Sequence, residues 1–255
     1  MSSTPRFETR LATSSEDIRA AQRLRYEVFV AELGGDGAMV DHDLRLERDA
    51  FDKHAEHLLL IDHSRATDPV VGVYRLMMAQ HAKLAGDWYT ASEYDLTPLL
   101  KTGRKVLELG RSCLKADYRG GVGMMLLWQA LADLVLSRNV EVLFGVASFH
   151  GTDPEALAAP LSLLHHRHLA PANLCPVARP PHAVEMNRLP EAQIDRPAAL
   201  RAVPSLIKAY LRLGGCVGAG AWVDHRFNTT DVCLVLDINN LSEKQRALYM
   251  QKDRP

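Results

Sequence analysis

The sequence has no excess of basic residues, no paired-cysteine motif and no uninterrupted apolar run long enough to cross a bilayer. Its 30 Lys and Arg stand against 31 Asp and Glu, a formal net charge of -1, so the basic surplus of a nucleic-acid-binding domain is missing. The opening MSSTPRFETRLATSSED holds no apolar core of signal-peptide length, and the most apolar later run is broken by Gln129 and Asp133. The chain is therefore expected to be cytoplasmic and not to span a membrane. Cys113, Cys175, Cys216 and Cys233 lie far apart without a CxxC pair, and read as reduced core thiols rather than a zinc site or disulfide framework. His54 and His57 lack the i, i+4 spacing of a helical zinc pair, and His165, His166 and His168 have no matching acidic or thiol set, so no metal is expected. Internal repeats and low-complexity tracts are also missing.

What is present is a chain of 255 residues, 47% of them hydrophobic, enough for a sizeable core in one large domain or two small ones. The stretch 105–137 organises it. Val106, Leu107 and Leu109 give an apolar strand carrying Glu108 and Arg111. Gly120, Gly121 and Gly123 then free backbone N–H groups at a helix N-terminus, where an anion such as phosphate binds well. The helix that follows has an amphipathic, largely buried pattern through Leu127, Leu131 and Val135.

In chain order, 7–13 is a short strand, and Ser14 or Ser15 caps a helix with Glu16 and Asp17 in its first turn. Ile18, Ala21, Leu24, Arg25, Val28 and Phe29 continue at helical spacing, and GGDG at 34–37 ends the helix. Arg25 and Phe29 share a helix face and could line a pocket; spacing alone favours a solvated arginine and a core phenylalanine. Glu47, Asp49 and Asp52 crowd an irregular segment. They could hold a cationic amine or tune one another's protonation, but by themselves read as an acidic, solvent-facing loop. Strands at 57–63 and 70–78, the second carrying Arg75, form an antiparallel hairpin across the turn SRATDP. Residues 81–104 read as a covering segment with a short helix near LTPLLKTG.

The helix between the strands at 105–113 and 142–150 makes those two strands parallel, and such a pair can splay to admit a pantetheine arm. Thr152 or Asp153 is expected to cap the next helix, which ends in a His/Arg cluster. The Pro-rich 172–181 is a candidate linker or flap, with a strand near 183–188. A helix runs from Pro204 to Gly214, with Arg196, Arg201, Lys208 and Arg212 before and along it. That basic surface could meet an acidic carrier protein or anionic lipid heads, or simply be solvated. Two more strands follow around Asp224, Asn228 and Asp231, and Ser242 caps a terminal helix.

The residues Arg25 and Phe29 in R-x-x-x-F, Glu47, Asp49, Phe51 and Asp52 in E-x-D-x-[FY]-D, Arg75, and Glu108 and Arg111 in E-x-x-R resemble the acyl-carrier-dependent branch of the GNAT superfamily. This branch includes the acyl-homoserine-lactone synthases and the ornithine N-acyltransferases that make lyso-ornithine lipid. The blocks FGVASFHGTDPEAL (144–157), PSLIKAYLRLGGCVGAGAWVD (204–224) and FNTTD (227–231) are similar to the second group. Tyr118 stands where a glutamine or arginine usually opens the superfamily's phosphate loop, which counts against coenzyme A itself as the donor. The tryptophan that homoserine-lactone synthases carry after the helix phenylalanine is missing, and the C-terminal blocks exceed what those shorter synthases need, which favours the ornithine enzymes.

The resemblance implies one GNAT-like domain over 1–255, of mixed α/β (α+β) class. Its sheet is mostly antiparallel and flanked by helices, with a splayed parallel strand pair and a C-terminal helical and strand extension. It also implies transfer of a 3-hydroxyacyl chain from the phosphopantetheine of acyl carrier protein to the α-amine of L-ornithine, with no permanently bound cofactor. Glu108 would accept a proton, with Asp49 assisting. Arg25, Phe29, Glu47, Asp52, Arg75 and Arg111 would bind the acceptor, while Arg119, Gly120, Gly121 and Gly123 would take the donor. Partners would be acyl carrier protein and, peripherally, membrane lipid. The alternatives in view are homoserine-lactone synthesis and a non-catalytic acyl-binding module.

Overall fold

A computed structural model describes residues 5–241. β1 (Phe7–Leu11) precedes α1 (Ser15–Arg25), which passes directly into a π-helical segment, Tyr26–Glu32. β2 (Glu56–Asp62) and β3 (Val70–Met78) follow, then α2 (Ala79–Ala85), a 3-10 turn at Tyr89–Ser92, β4 (Tyr94–Asp95) and α3 (Thr97–Leu100). β5 (Val106–Leu114) leads through a 3-10 turn at Ala116–Tyr118 to α4 (Gly123–Ser137), β6 (Val142–His150) and α5 (Ala158–His168). The chain continues with β7 (Val177–Ala178), β8 (Ala183–Val184), α6 (Arg196–Ala202), α7 (Ser205–Arg212), β9 (Cys216–Val217), β10 (Ala221–Asp224) and β11 (Thr229–Asp237).

Two compact units result, and β5 contributes to both: Val106–Glu108 to the second and Leu109–Leu114 to the first. In the first, the strand order is β1-β2-β3-β5, with β1 antiparallel to β2 from Phe7↔Asp62 to Leu11↔Leu58 and β2 antiparallel to β3. The run Leu58–Ile61 is continuously apolar because both faces are covered. Leu59, Ile61 and Val73 pack with Ala21, Leu24 and Val28 on the α1 side, whereas a Cβ on Gly72 would stand 2.6 Å from Leu114 and 2.9 Å from Leu127 of α4. Glycine at 72 is what lets α4 approach β3 so closely.

Ser14 caps α1 in a reciprocal box: its hydroxyl accepts from the Asp17 amide at 3.1 Å and Asp17 accepts from the Ser14 amide at 3.3 Å. The expected α-helix through Phe29 instead widens, with the Leu33 amide reaching back to Val28 O at 3.2 Å. Such i→i+5 turns absorb an extra residue and gather at functional sites. In β5, Arg111 has φ +50°, a left-handed conformation that costs a non-glycine residue about 1–3 kcal/mol and persists only where surrounding contacts hold it.

In the second unit the order is β5-β6-β11-β10-β8. The parallel pairing runs from Val106↔Val142 to Glu108↔Phe144, and β6 pairs antiparallel with β11 from His150↔Thr229 to Val142↔Asp237. β9 joins β11, and β4 pairs with β7. The architecture is thus mixed α/β, mostly antiparallel with one parallel pair.

Several local expectations are corrected. Asp153 caps only a turn, accepting from the Glu155 amide at 2.9 Å, and the helix begins at Ala158 because three residues of turn separate Pro154 from it. Pro204 is the N-cap rather than the first helical residue of α7. Arg196 and Arg201 belong to a separate helix, α6, capped by Asp195, and the strand near 183–188 is confined to Ala183–Val184. The helix expected from Ser242 lies outside the described residues.

Candidate functional site

Three arginines and three acids interlock within the first unit. Arg25, at the end of α1, is 0% exposed. Its Nε donates to Glu47 Oε2 at 2.5 Å, Nη1 to Asp52 Oδ1 at 2.7 Å, and Nη2 to Asp52 Oδ2 at 2.9 Å and to Glu47 O at 2.7 Å. Arg75 on β3 places Nη1 2.6 Å from both Asp49 oxygens and 3.1 Å from Asp52 Oδ1. Arg111 on β5 donates Nε to Glu47 Oε1 at 3.2 Å and Nη2 to Asp49 Oδ2 at 3.1 Å, which holds its left-handed backbone in place.

Two sequence expectations fall here. Arg25 is not solvated, and Glu47, Asp49 and Asp52 do not form a solvent-facing loop. Each buried carboxylate needs a cation at hydrogen-bonding distance, and helix, loop and two strands converge to supply one. Burial pushes the carboxyls of Glu47, Asp49 and Asp52 up, but the neighbouring guanidiniums outweigh it and hold all three below the ordinary carboxylate range. The same anions hold the Arg25 guanidinium above its usual value against burial. The set is internally neutralised. Its accessible edge is Asp49 and Arg111, with side chains 18% and 12% exposed, against 5% or less for the other four.

Supporting groups not singled out by the sequence complete this set. Gln22, one turn before Arg25, donates Nε2 to Asp52 Oδ2 at 2.9 Å. His57, cross-strand from Arg75, lies 3.1 Å through Nε2 from Asp52 O; a carbonyl only accepts, so Nε2 donates. Burial, aided by Arg25 and Arg75, lowers the His57 pKa. The helical spacing of Gln22 and the strand alternation of His57 were the available signals. Phe29 is not brought into the ion-paired set; it packs against the core around Ala21, Leu24 and Cys113.

Glu108 is the last residue of β5 in the second unit, 3% exposed. Its Oε1 accepts the Thr90 amide at 2.6 Å and its Oε2 the Tyr89 amide at 3.1 Å, so the carboxylate caps the 3-10 turn Tyr89–Ser92. Two amide donors fix its orientation. This segment was read only as a cover.

In the loop before α4, Gly120 adopts φ +76° and Gly123 approaches Leu60 and the Tyr118 carbonyl, where a Cβ would stand at 3.3 Å from each, whereas Gly121 faces open space. Tyr118 donates its hydroxyl to Asp62 Oδ2 at 2.8 Å and meets Phe7 edge-on, so it anchors the loop to β2. Arg119 pairs with both Glu32 oxygens, at 2.5 and 2.7 Å, and much of its charge is shared. The cysteines are free, with Cys113, Cys175 and Cys233 buried and Cys216 partly so. Burial pushes the Cys113 thiol up to about 12, which leaves it no thiolate at neutral pH. Among the described residues no helix is long and apolar enough to cross a membrane.

A family model described as an acetyltransferase (GNAT) domain matches residues 24–129, a span that includes the ion-paired set, Glu108 and the glycine loop. Over 249 residues the chain is 54% identical to an L-ornithine N(alpha)-acyltransferase of Rhodobacter capsulatus, covering 96% of this chain and 95% of that protein. An L-ornithine N(alpha)-acyltransferase of Agrobacterium fabrum is 40% identical, over 95% of this chain and 85% of its own. Among solved structures, an N-acyl amino acid synthase from uncultured soil microbes superposes with a TM-score of 0.54 at 12% identity, covering 93% of each chain. A CoA-dependent acyl-homoserine lactone synthase, solved with SAM and isopentyl-CoA, gives 0.53 at 14%, over 99% of this chain and 95% of that one. At such identities these two likenesses establish the fold.

Proposed function

The chain belongs to the L-ornithine N(alpha)-acyltransferase family, and on that premise we propose that it transfers a 3-hydroxyacyl chain from the phosphopantetheine of acyl carrier protein to the α-amine of L-ornithine. It is an N-acyltransferase. The observation that carries the choice of acceptor is kinship over nearly the full length of relatives named for that acceptor.

The chemistry follows from the groups. A neutral amine attacks the thioester carbonyl; the C–N bond forms, the C–S bond breaks, and the amine's surplus proton passes to a base and from it to the departing thiolate, which leaves as the thiol. Glu108 is assigned that base, directly or through one water. It is buried and aimed by the Thr90 and Tyr89 amides, and a side chain already fixed in place needs little reorganisation to accept a proton. Asp49 is reassigned from assisting base to positioning residue, because Arg75 and Arg111 occupy both its oxygens and leave it weakly basic. Arg25 and Arg75 order the acids. Arg111, at the accessible edge, is the arginine of the set that can meet a substrate carboxylate. Gly120, Gly121 and Gly123, opening the 15-residue α4, present backbone N–H groups to the donor's phosphate.

The test is direct. Purified protein incubated with 3-hydroxyacyl carrier protein and L-ornithine is expected to yield N-acyl-ornithine by mass spectrometry. Product only with S-adenosylmethionine, or with an acyl-coenzyme A but not the carrier thioester, would overturn the acceptor or the donor respectively.

A further inference from the structure

Strand alternation in the second unit places more acid on the face that carries Glu108. Glu108 is opposite Phe144 and Phe144 opposite Val235, so the same face of β11 takes Cys233 and then Asp231. The segment 88–95 lies against that face. The Trp88 ring is 5.2 Å from Phe144, the Tyr89 and Thr90 amides hold Glu108, and Tyr94 donates its hydroxyl to Asp231 O at 2.9 Å. Glu93, between these anchors, is 2% exposed, Asp231 is 4% and Thr90 is 0%. Ser148, opposite Asp231 on β6, is exposed, so this end of the face reaches solvent.

A second observation is independent of the acids: the Thr90 hydroxyl is buried with no hydrogen-bond partner among the described residues. The Thr90 amide is 2.6 Å from Glu108 Oε1, and covalent geometry keeps a threonine's Oγ within about 4 Å of its own nitrogen, so the hydroxyl belongs to the same small volume. The Cys233 thiol is raised by burial and then by Glu108 and Glu93, and the Tyr94 hydroxyl by burial and then by Cys233, Glu93 and Asp231. The acids therefore act on one locality.

We infer that Glu93 and Asp231, with the Thr90 hydroxyl, form the subsite for the side-chain ammonium of the acceptor amino acid. An ammonium carries three donors, and two carboxylates and a hydroxyl oxygen supply three acceptors. In an extended 2,5-diamino acid the two nitrogens are about 6 Å apart by standard bond lengths, so one end can be gripped while Glu108 serves the other. An acceptor with an apolar side chain would leave this polar pocket unmatched, which is how such sites discriminate strongly. The inference rests on the reading of the chain as an ornithine acyltransferase.

The test compares L-ornithine with L-norvaline, which lacks only the side-chain amine, using one acyl donor. Wild type is expected to prefer ornithine strongly in kcat/KM. Glu93→Gln and Asp231→Asn should each lower the ornithine-to-norvaline ratio by about 10- to 100-fold, the size of a lost charge-assisted hydrogen bond. Thr90→Val, the mildest change, should lower it by about 2- to 10-fold. Thermal protection of the wild type by ornithine but not norvaline gives a reading that needs no variant. Equal use of both acceptors by the wild type, or an unchanged ratio in folded variants, would overturn the subsite alone. If the wild type forms no acyl-ornithine, the functional reading fails and the subsite with it.

Discussion

Arg25 and Asp52, 27 residues apart in sequence, face each other as a two-toothed pair, Nη1 to Oδ1 at 2.7 Å and Nη2 to Oδ2 at 2.9 Å. Both are buried, so removing one leaves the other charged in a low-dielectric site. Arg25→Ala is expected to destabilise the protein by about 3–5 kcal/mol in denaturant unfolding. Arg25→Lys should recover little, since a point ammonium cannot meet Glu47 and both Asp52 oxygens at once. A loss under about 1 kcal/mol for the alanine variant, the range of exposed pairs, would show the pair to be dispensable.

The same set dictates an acid response. The Glu47, Asp49 and Asp52 carboxyls are depressed in the folded state, so their contribution is complete above the unfolded value near pH 4 and is lost as pH falls below it. His57 is also depressed, chiefly by burial. A base that folds neutral contributes above its unfolded value near pH 6.5 and loses that contribution as pH falls. Stability measured against pH should therefore decline in two stages, beginning below about 6.5 and again below about 4. His168, also lowered by burial, acts in the same window, so His57→Gln should shrink the first stage and His57→Gln with His168→Gln should remove it; an unchanged first stage in His57→Gln would assign it to other groups.

Glu108→Gln should reduce turnover by about 10²–10⁴-fold, the usual worth of a general base. It should also loosen the turn at 89–92 somewhat, because the new amide nitrogen cannot accept one of the two N–H groups that Glu108 now binds. Turnover and melting temperature measured together separate the effects. Near-normal turnover would make Glu108 a cap and nothing more.

Asp49→Asn should raise the KM for ornithine more than that for the acyl donor, since Asp49 aligns Arg111 at the accessible edge. Steady-state kinetics with each substrate varied in turn decides it. Equal changes in both constants would point to a general loss of fold.

If the donor is the acidic carrier protein proposed above, its docking should depend on Lys208 and Arg212 of α7 more than on Arg119, whose charge is shared with Glu32. Neutralising Lys208 and Arg212 should slow transfer from the carrier thioester and have less effect on a short pantetheine thioester. Added salt should mimic the substitutions, since exposed charges are screened over about 8 Å at physiological ionic strength. Equal slowing of both donors would place these residues outside docking.

The sequence by itself determined the elements whose signals are local. A cap at Ser14, a continuous apolar run through Leu58–Ile61, glycines before α4 and an obligatory crossover from β5 to β6 each act over a few residues or one connection. Its motifs also marked Glu47, Asp49, Asp52, Arg25, Arg75, Arg111 and Glu108, although local pattern read the three acids as solvent-facing and Arg25 as solvated. Only tertiary structure decided what those residues do to one another. Whether an acid is solvated or buried against a guanidinium depends on atoms 22 to 64 positions away, and no local periodicity records that. The widening of the helix at Tyr26–Glu32, the turn of Arg111 into the left-handed region and the placement of Thr90 beside Glu108 have the same origin. Each is a local departure held by distant contacts, because the backbone accepts a small strain where burial and ion pairing offset it.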